Sequence, residues 1–141
     1  MRTSVARLGD AVQIQTSALN PITRPDHEFH LYSIPAFDGG LKPEKVNGSQ
    51  IGSNKYKITS ECVLVSKINP RIKRIWYIKD LEPRRAVCST EFISLIPNNR
   101  VNVDLRFMAH FLLHADLQGL TATAAQAATK IPRAASQGRL F

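Results

Sequence analysis

Apolar and polar positions alternate in short runs along the first hundred residues. Alternation over residues 11–16 predicts a first strand after a turn. Aromatic and branched residues over 29–34 predict a second strand, which Pro35 ends. Further strands are expected between polar or proline-containing connections, at residues 56–59, 62–68, 74–78 and 92–96. The first two thirds of the chain are therefore predicted to be mainly β-structure.

The hydrophobic spacing changes to a helical period after Pro97. Val103, Phe107 and Phe111 recur at helical intervals and predict an amphipathic helix over 103–117, with Asn102 as its N-cap. Residues 118–141 are rich in alanine, and we expect them to be weakly ordered. The pattern predicts an α+β fold: a mainly β domain over 1–117 with flanking helices and a C-terminal helix, followed by that tail.

Composition adds limits on location and partners. At 141 residues with 43% hydrophobic positions, the chain has the make-up of one soluble domain. No apolar run approaches the roughly 20 residues that cross a bilayer, and no signal-peptide pattern opens the sequence, so a cytoplasmic location is expected. The net charge of +8 favours a polyanionic partner.

Most of that charge lies between Ser53 and Arg85, where nine basic residues stand against three acidic ones. The apolar run 62–65 predicts a strand buried on both faces. A turn at Asn69–Pro70 would pair it with strand 74–78 and place the basic side chains around a hairpin tip. We expect these cations to project together from one surface into a DNA groove, although a solvated basic face without specific purpose is the alternative.

The residue types around this tip suit contact with duplex DNA. Arginine binds guanine O6 and N7 with two hydrogen bonds, and asparagine does the same for adenine N6 and N7. Lysine and serine bind phosphates. Asn69 and Arg71 are the predicted base contacts, and Trp76 is assigned to the core. The complete predicted DNA-binding set is Lys55, Ser66, Lys67, Asn69, Arg71, Lys73 and Arg74.

Catalytic and cofactor motifs are missing from the sequence. It contains no phosphate-binding glycine loop, dinucleotide-binding glycine pattern, zinc cluster or nucleophile elbow, so no cofactor is expected. Asn69–Pro70 is followed by Arg71 and Ile72, which excludes the Asn-Pro-Pro-aromatic motif of adenine methyltransferases. His110 and His114 are four apart on the predicted helix, but no third metal ligand with suitable spacing follows.

The two cysteines are the remaining reactive side chains. Cys62 and Cys88 both lie in apolar, strand-like contexts. Buried free thiols are expected of them, with a cross-strand disulfide as the alternative.

Five short segments follow one another in a distinctive order along the first 117 residues. They are Leu8-Gly9-Asp10, Tyr32-Ser33-Ile34-Pro35-Ala36-Phe37-Asp38, Ile51-Gly52-Ser53-Asn54-Lys55, Val63-Leu64-Val65-Ser66-Lys67-Ile68-Asn69-Pro70-Arg71 and Cys88-Ser89-Thr90-Glu91-Phe92. Together they resemble target recognition domains of type I restriction-modification specificity subunits. The resemblance covers about residues 7–117 and depends on the order and spacing of the segments.

This resemblance implies a non-catalytic domain that recognises one half of a two-part double-stranded DNA target. It also implies methyltransferase (M) and restriction (R) subunits as partners, whose cofactors would not bind this chain. The family continues into a glycine- and serine-containing segment and a long spacer helix, which residues 121–133 do not match. This difference indicates a truncated specificity subunit, a frameshifted remnant or a fragment.

Two other functions remain open from the sequence. A basic RNA-binding or ribosome-associated module would stack unpaired bases on exposed aromatic side chains, for which Tyr32, Tyr56, Trp76 and Tyr77 are the candidates. A degenerate remnant that binds nothing specifically is the third possibility.

Overall fold

The computed structural model describes residues 12–69, 71–98 and 104–114, which form two β-sheets and two α-helices. The predicted α+β, mainly β fold with a C-terminal helix is confirmed. The predicted alanine-rich tail and the Leu8-Gly9-Asp10 segment lie outside the described residues. The strands are β1 (Val12–Gln15), β2 (Ala18–Leu19), β3 (Glu28–Tyr32), β4 (Glu44–Asn47), β5 (Lys55–Lys57), β6 (Cys62–Ser66), β7 (Ile75–Ile78), β8 (Ala86–Cys88) and β9 (Phe92–Pro97).

The first sheet has four antiparallel strands in the order β1-β9-β6-β7. Strand β6 is one of its two central strands, and all five of its residues are buried, as the continuous apolar run predicts. The register pairs Leu64 with Trp76 and Val65 with Ile75, so the predicted hairpin between β6 and β7 is confirmed. This hairpin carries most of the predicted DNA-binding residues at its tip.

The second sheet has five strands in the order β2-β5-β8-β3-β4. All neighbours in it are antiparallel except β3 and β8, which run parallel with His30 opposite Ala86. Because β3 and β8 are parallel, the residues that follow Tyr32 and Cys88 emerge at the same end of the sheet. The Ser89 N–H donates to the Tyr32 carbonyl at 3.0 Å and ties these two chain segments together.

Neither helix begins where the sequence pattern predicted a helix to start. The strand expected to run to Ile34 ends at Tyr32, because Ser33 caps helix α1 (Ile34–Asp38) and its Oγ accepts from the Ala36 N–H at 3.1 Å. Pro35 occupies the first turn of that helix, where its missing N–H has no cost. Helix α2 (Leu105–Leu113) is capped by Asp104, so the prediction of Asn102 as the N-cap is wrong.

Two cores lie on opposite faces of the first sheet. On one face, Val63 and Val65 of β6 pack against Leu105 and Leu112 of α2. On the other face, Leu64 packs between the two sheets with a group of aromatic residues. Trp76 is 6% exposed at the centre of that group, as predicted, and makes edge-to-face contacts with Tyr32, Phe37 and Phe92.

A third, smaller apolar cluster lies on the face of the second sheet that points away from the first. Phe29 and Val87 are buried there beneath Ile51. Two 3-10 helices, Pro21–Thr23 and Gly48–Gln50, pack beside this cluster. Within the described ranges, no helix has the length and apolar character needed to cross a membrane.

Candidate nucleic-acid interface

The turn that joins β6 to β7 forms the tip of the hairpin, which we define as residues 67–74. The Ile72 N–H donates to the Asn69 carbonyl at 2.9 Å and closes the turn. Asn69 has a φ of 50°, in the left-handed region that asparagine tolerates better than most residues. Pro70 lies outside the described residues. The conformation of Asn69 thus helps to define the direction of the tip.

The outermost side chains of the tip are polar, cationic and apolar in close succession. Asn69 and Arg71, the two predicted base contacts, are both exposed to solvent. Ile68 and Ile72 flank them with 39% and 49% of their surface exposed. The sequence pattern placed Ile68 inside a strand, and nothing in that pattern distinguished an exposed isoleucine from a buried one. The tip therefore presents hydrogen-bonding groups together with apolar surface.

Ser66 and Lys67 lie at the base of the tip and are less accessible. Ser66 is 4% exposed, and its Oγ both donates to the Ile68 carbonyl at 3.0 Å and accepts from the Ile68 N–H at 3.2 Å. Partial burial lowers the pKa of Lys67, and the nearby Cys88 and Glu91 oppose that shift. Ser66 thus shapes the start of the turn, while Lys67 is a partly desolvated cation beside it.

Lys73 and Arg74 point to opposite faces of the hairpin. Lys73 Nζ donates to the carbonyl of Leu113 at the end of α2, at 2.9 Å. Arg74 instead contacts Asp38 of α1, which lies on the face that packs against the second sheet. Successive residues of an extended chain alternate between faces, so these two neighbours separate. The expectation that all the tip cations project from one surface is wrong for this pair.

The contact between Arg74 and Asp38 is a bidentate ion pair. Nε donates to Oδ1 of Asp38 at 3.0 Å and Nη2 donates to Oδ2 at 3.1 Å. The hydrogen bond lowers the pKa of Asp38 and raises that of Arg74. A guanidinium in this geometry satisfies a carboxylate with two parallel hydrogen bonds. Both Lys73 and Arg74 therefore have internal partners, and their part in DNA binding stays a prediction.

Lys55 is the first residue of β5 in the second sheet, whereas the hairpin belongs to the first sheet. Its Nζ donates to Ser53 Oγ at 2.6 Å within the loop that precedes the strand. Lys55 and Lys67 both influence the electrostatics of Cys88, which lies next to the Tyr56 position of β5. Lys55 therefore belongs to the loop and strand edge beside β8, and its part in DNA binding stays a prediction.

The other histidine, cysteine and acidic side chains of the described residues do not gather into a metal centre. No cluster of three or more histidine, cysteine, aspartate or glutamate side chains lies within metal-binding range in the described part. The rings of His110 and His114 are 5.1 Å apart on the exposed side of α2. Cys62 and Cys88 are both buried free thiols, as predicted from their contexts.

Solved structures that resemble this chain include the following two. The HsdS subunit from Thermoanaerobacter tengcongensis superposes with a TM-score of 0.60 and 26% sequence identity, over 78% of this chain and 30% of that subunit. A chain from a structure of complex assembly and conformational transition in the type I R-M system gives a TM-score of 0.61 and 23% identity, over 85% of this chain and 30% of that one. The sequence matches no protein-family model and no curated protein.

These matches confirm the resemblance to type I specificity subunits at the level of structure. The matched part has the size of one target recognition domain. The chain spans about 30% of the length of the proteins that it matches.

Proposed function

We propose that this chain binds double-stranded DNA in a sequence-specific manner. The starting point is its structural match to a part of HsdS subunits that has the size of one recognition domain. It acts as part of the specificity subunit of a type I restriction-modification complex and has no catalytic role of its own. The observation that supports this most directly is the hairpin tip, where Asn69 and Arg71 are exposed at the end of an antiparallel ribbon.

A two-stranded ribbon has the dimensions to enter the major groove of B-DNA. Arg71 then contacts a guanine through O6 and N7, and Asn69 contacts an adenine through N6 and N7. Lys67 binds a phosphate at the base of the ribbon, and Lys55 binds one from the second sheet. Ser66, Lys73 and Arg74 hold the hairpin through the hydrogen bonds described above, so their main contribution is to position the tip.

The aromatic residues favour duplex DNA over single-stranded RNA as the ligand. Stacking of unpaired bases needs aromatic rings exposed on a sheet surface. Tyr32 and Trp76 are 4% and 6% exposed, and Tyr56 packs against the same inter-sheet core. Tyr77 is partly buried, and its hydroxyl donates to Glu61. The four candidates therefore do not form a stacking platform.

Assembly with M and R subunits is part of the same proposal. One matched structure concerns complex assembly of a type I R-M system, and the similarity extends to 30% of the matched chain. An isolated recognition domain contacts one half of a split target. We therefore expect it to bind with an affinity near the non-specific range, roughly 10⁻⁴ to 10⁻⁶ M, and with strong dependence on salt.

The test is a selection from a library of random duplexes, followed by affinity measurements on the enriched sequence at several salt concentrations. The proposal predicts a short enriched motif, stronger binding to that duplex than to scrambled duplex, and weaker binding to single-stranded RNA of matched length. A library that stays random after selection would support the remnant hypothesis. A clear preference for RNA would support the ribosome-associated alternative.

A further inference from the structure

A second basic site lies on the outer face of the second sheet, away from the inter-sheet core. It is an open cleft of about 290 Å³ whose walls come from four strands, the segment around the first 3-10 helix and the turn before β8. Ligand pockets in proteins usually measure roughly 300–1,000 Å³, so the cleft suits a small ligand or one group of a larger ligand. Its lining is Leu19, Arg24, His27, Phe29, Lys57, Thr59, Pro83, Arg84, Ala86 and Val87.

The ionisable side chains of this lining are all basic. Arg24 belongs to the segment after the first 3-10 helix, Arg84 to the turn before β8, and Lys57 to β5, opposite Val87 in the register. No carboxylate lines the cleft within the described residues. Glu28, which follows His27 in the chain, lies with its Oε1 3.8 Å from Nη1 of Arg85, a residue outside this lining. Like charges gathered in a concave site concentrate the positive potential there.

Local packing orders the walls of the cleft. Nε2 of His27 lies 3.0 Å from the carbonyl oxygen of Arg84, which joins the two walls across 57 positions of sequence. The His27 ring also packs edge-to-face on Phe29, with 4.6 Å between ring centroids. At Gly48 a Cβ atom would lie 2.2 Å from the carbonyl oxygens of Pro21 and Arg24, so the backbone beneath Arg24 is closely packed. The cationic side chains thus extend from a defined backbone.

The floor is apolar, since Phe29 and Val87 are buried at its base and Leu19 packs beside them. A phosphate alone would contact the cationic rim and leave the apolar floor uncovered. A ligand that also carries a sugar or a base would contact both the rim and the floor. We propose that the cleft binds the phosphate group of a nucleotide, supplied either by the DNA backbone or by a free mononucleotide. Arginines at the rim match phosphate oxygens with paired hydrogen bonds, and Lys57 adds a point charge.

This site is separate from the hairpin tip and does not depend on base recognition there. Titration of the chain with adenosine monophosphate, adenosine and inorganic phosphate tests it, with binding followed by NMR shifts of the amides around His27 and Arg84. Adenosine monophosphate is expected to bind in the millimolar range or tighter, and adenosine at least tenfold more weakly. Equal binding of the two, or no binding of either, would overturn the proposal.

Charge-removing variants locate the site. Arg84→Gln and Lys57→Gln are each expected to weaken adenosine monophosphate binding at least fivefold, while thermal unfolding shows that they remain folded. Lys45→Gln is the matched control. Lys45 is exposed and lies opposite His30 in the register of β3 and β4, so it is on the other face of the sheet from Phe29. Equal loss in the control would show that only net charge matters and would also overturn the proposal.

Competition with duplex DNA then identifies the source of the phosphate. If a duplex displaces adenosine monophosphate and Arg84→Gln weakens duplex binding, the cleft binds the DNA backbone. If a duplex leaves the bound nucleotide in place, the cleft binds a free nucleotide. The first result adds a backbone contact to the recognition surface, and the second assigns a separate small-molecule site.

Discussion

Arg74 donates two parallel hydrogen bonds to Asp38, 3.0 and 3.1 Å long. They join the residue before β7 to the last residue of α1. Only 13% of the arginine side chain is exposed, against 51% of the aspartate. The pair crosses between two segments that are 36 positions apart, so it fixes the base of the hairpin relative to the second sheet. The contact thus joins the β7 end of the tip to α1.

Asp38→Asn tests that contact through its pH dependence. Because Arg74 lowers the pKa of Asp38, the pair stabilises the fold at neutral pH, and this contribution is lost as the pH falls below the ordinary aspartate value of 3.8. We expect the variant to have a melting temperature lower by a few degrees at neutral pH. The difference should disappear near about pH 2. A difference that persists in acid would contradict the assignment, and Asp80→Asn serves as the exposed control.

Lys67→Met separates stability from binding at the tip. Burial lowers the pKa of Lys67, so its charged form disfavours folding, and that penalty is present at neutral pH. It is relieved only as the pH rises toward the ordinary lysine value. We expect the variant to keep its unfolding free energy within about 0.5 kcal/mol or to gain stability. Its DNA binding should weaken, with the salt slope smaller by roughly 1.

For Lys67→Met, urea unfolding and salt-dependent anisotropy measure the two effects. Loss of stability together with unchanged DNA affinity would show that the lysine has a purely structural role.

The core between the sheets is expected to determine stability. Leu64 is fully buried there, and Leu64→Ala removes its packing from both sheets. The expected loss is about 2–5 kcal/mol of unfolding free energy. Ile72→Ala at the exposed tip is the comparison, with an expected change within about 0.5 kcal/mol. Chemical denaturation of both variants measures this, and similar losses would mean that the tip is packed rather than exposed.

The two thiols should be unreactive in the folded protein. Burial raises the pKa of Cys62 to about 12 and raises that of Cys88 further. Neither side chain is accessible to solvent. At mildly alkaline pH we expect a thiol reagent to modify both cysteines at least about 100-fold more slowly in the native state than after denaturation. Rapid labelling of the native protein would indicate that the region around β6 and β8 opens readily.

Local sequence patterns predicted the elements that pair with a neighbouring segment of the chain. The apolar run of β6 and its hairpin partner are of this kind. In contrast, β8 is three residues long and pairs with β3, more than fifty positions earlier, so no local alternation indicates it. Pro35 is compatible with the end of a strand and with the first turn of a helix, and the cap at Ser33 decides for the helix.

The candidate site shows the same limit. Charge and residue type indicated a basic hairpin tip, but the faces to which Lys73 and Arg74 point depend on Leu113 and Asp38, each far away in the sequence. The cleft around Arg24 and Arg84 was missed because its walls meet only after the second sheet forms. Charge can therefore be counted from sequence, while its convergence on a surface depends on tertiary contacts.

The central claim is that the hairpin tip contacts bases, and the sequence preference of Arg71→Ala tests it most directly. On the duplex enriched by selection, the variant is expected to lose about 1–3 kcal/mol of binding free energy and its preference at one guanine position. Lys79→Ala, at the opposite end of β7, should retain the preference. If Arg71→Ala selects the same motif with the same affinity as the original chain, the tip does not recognise DNA.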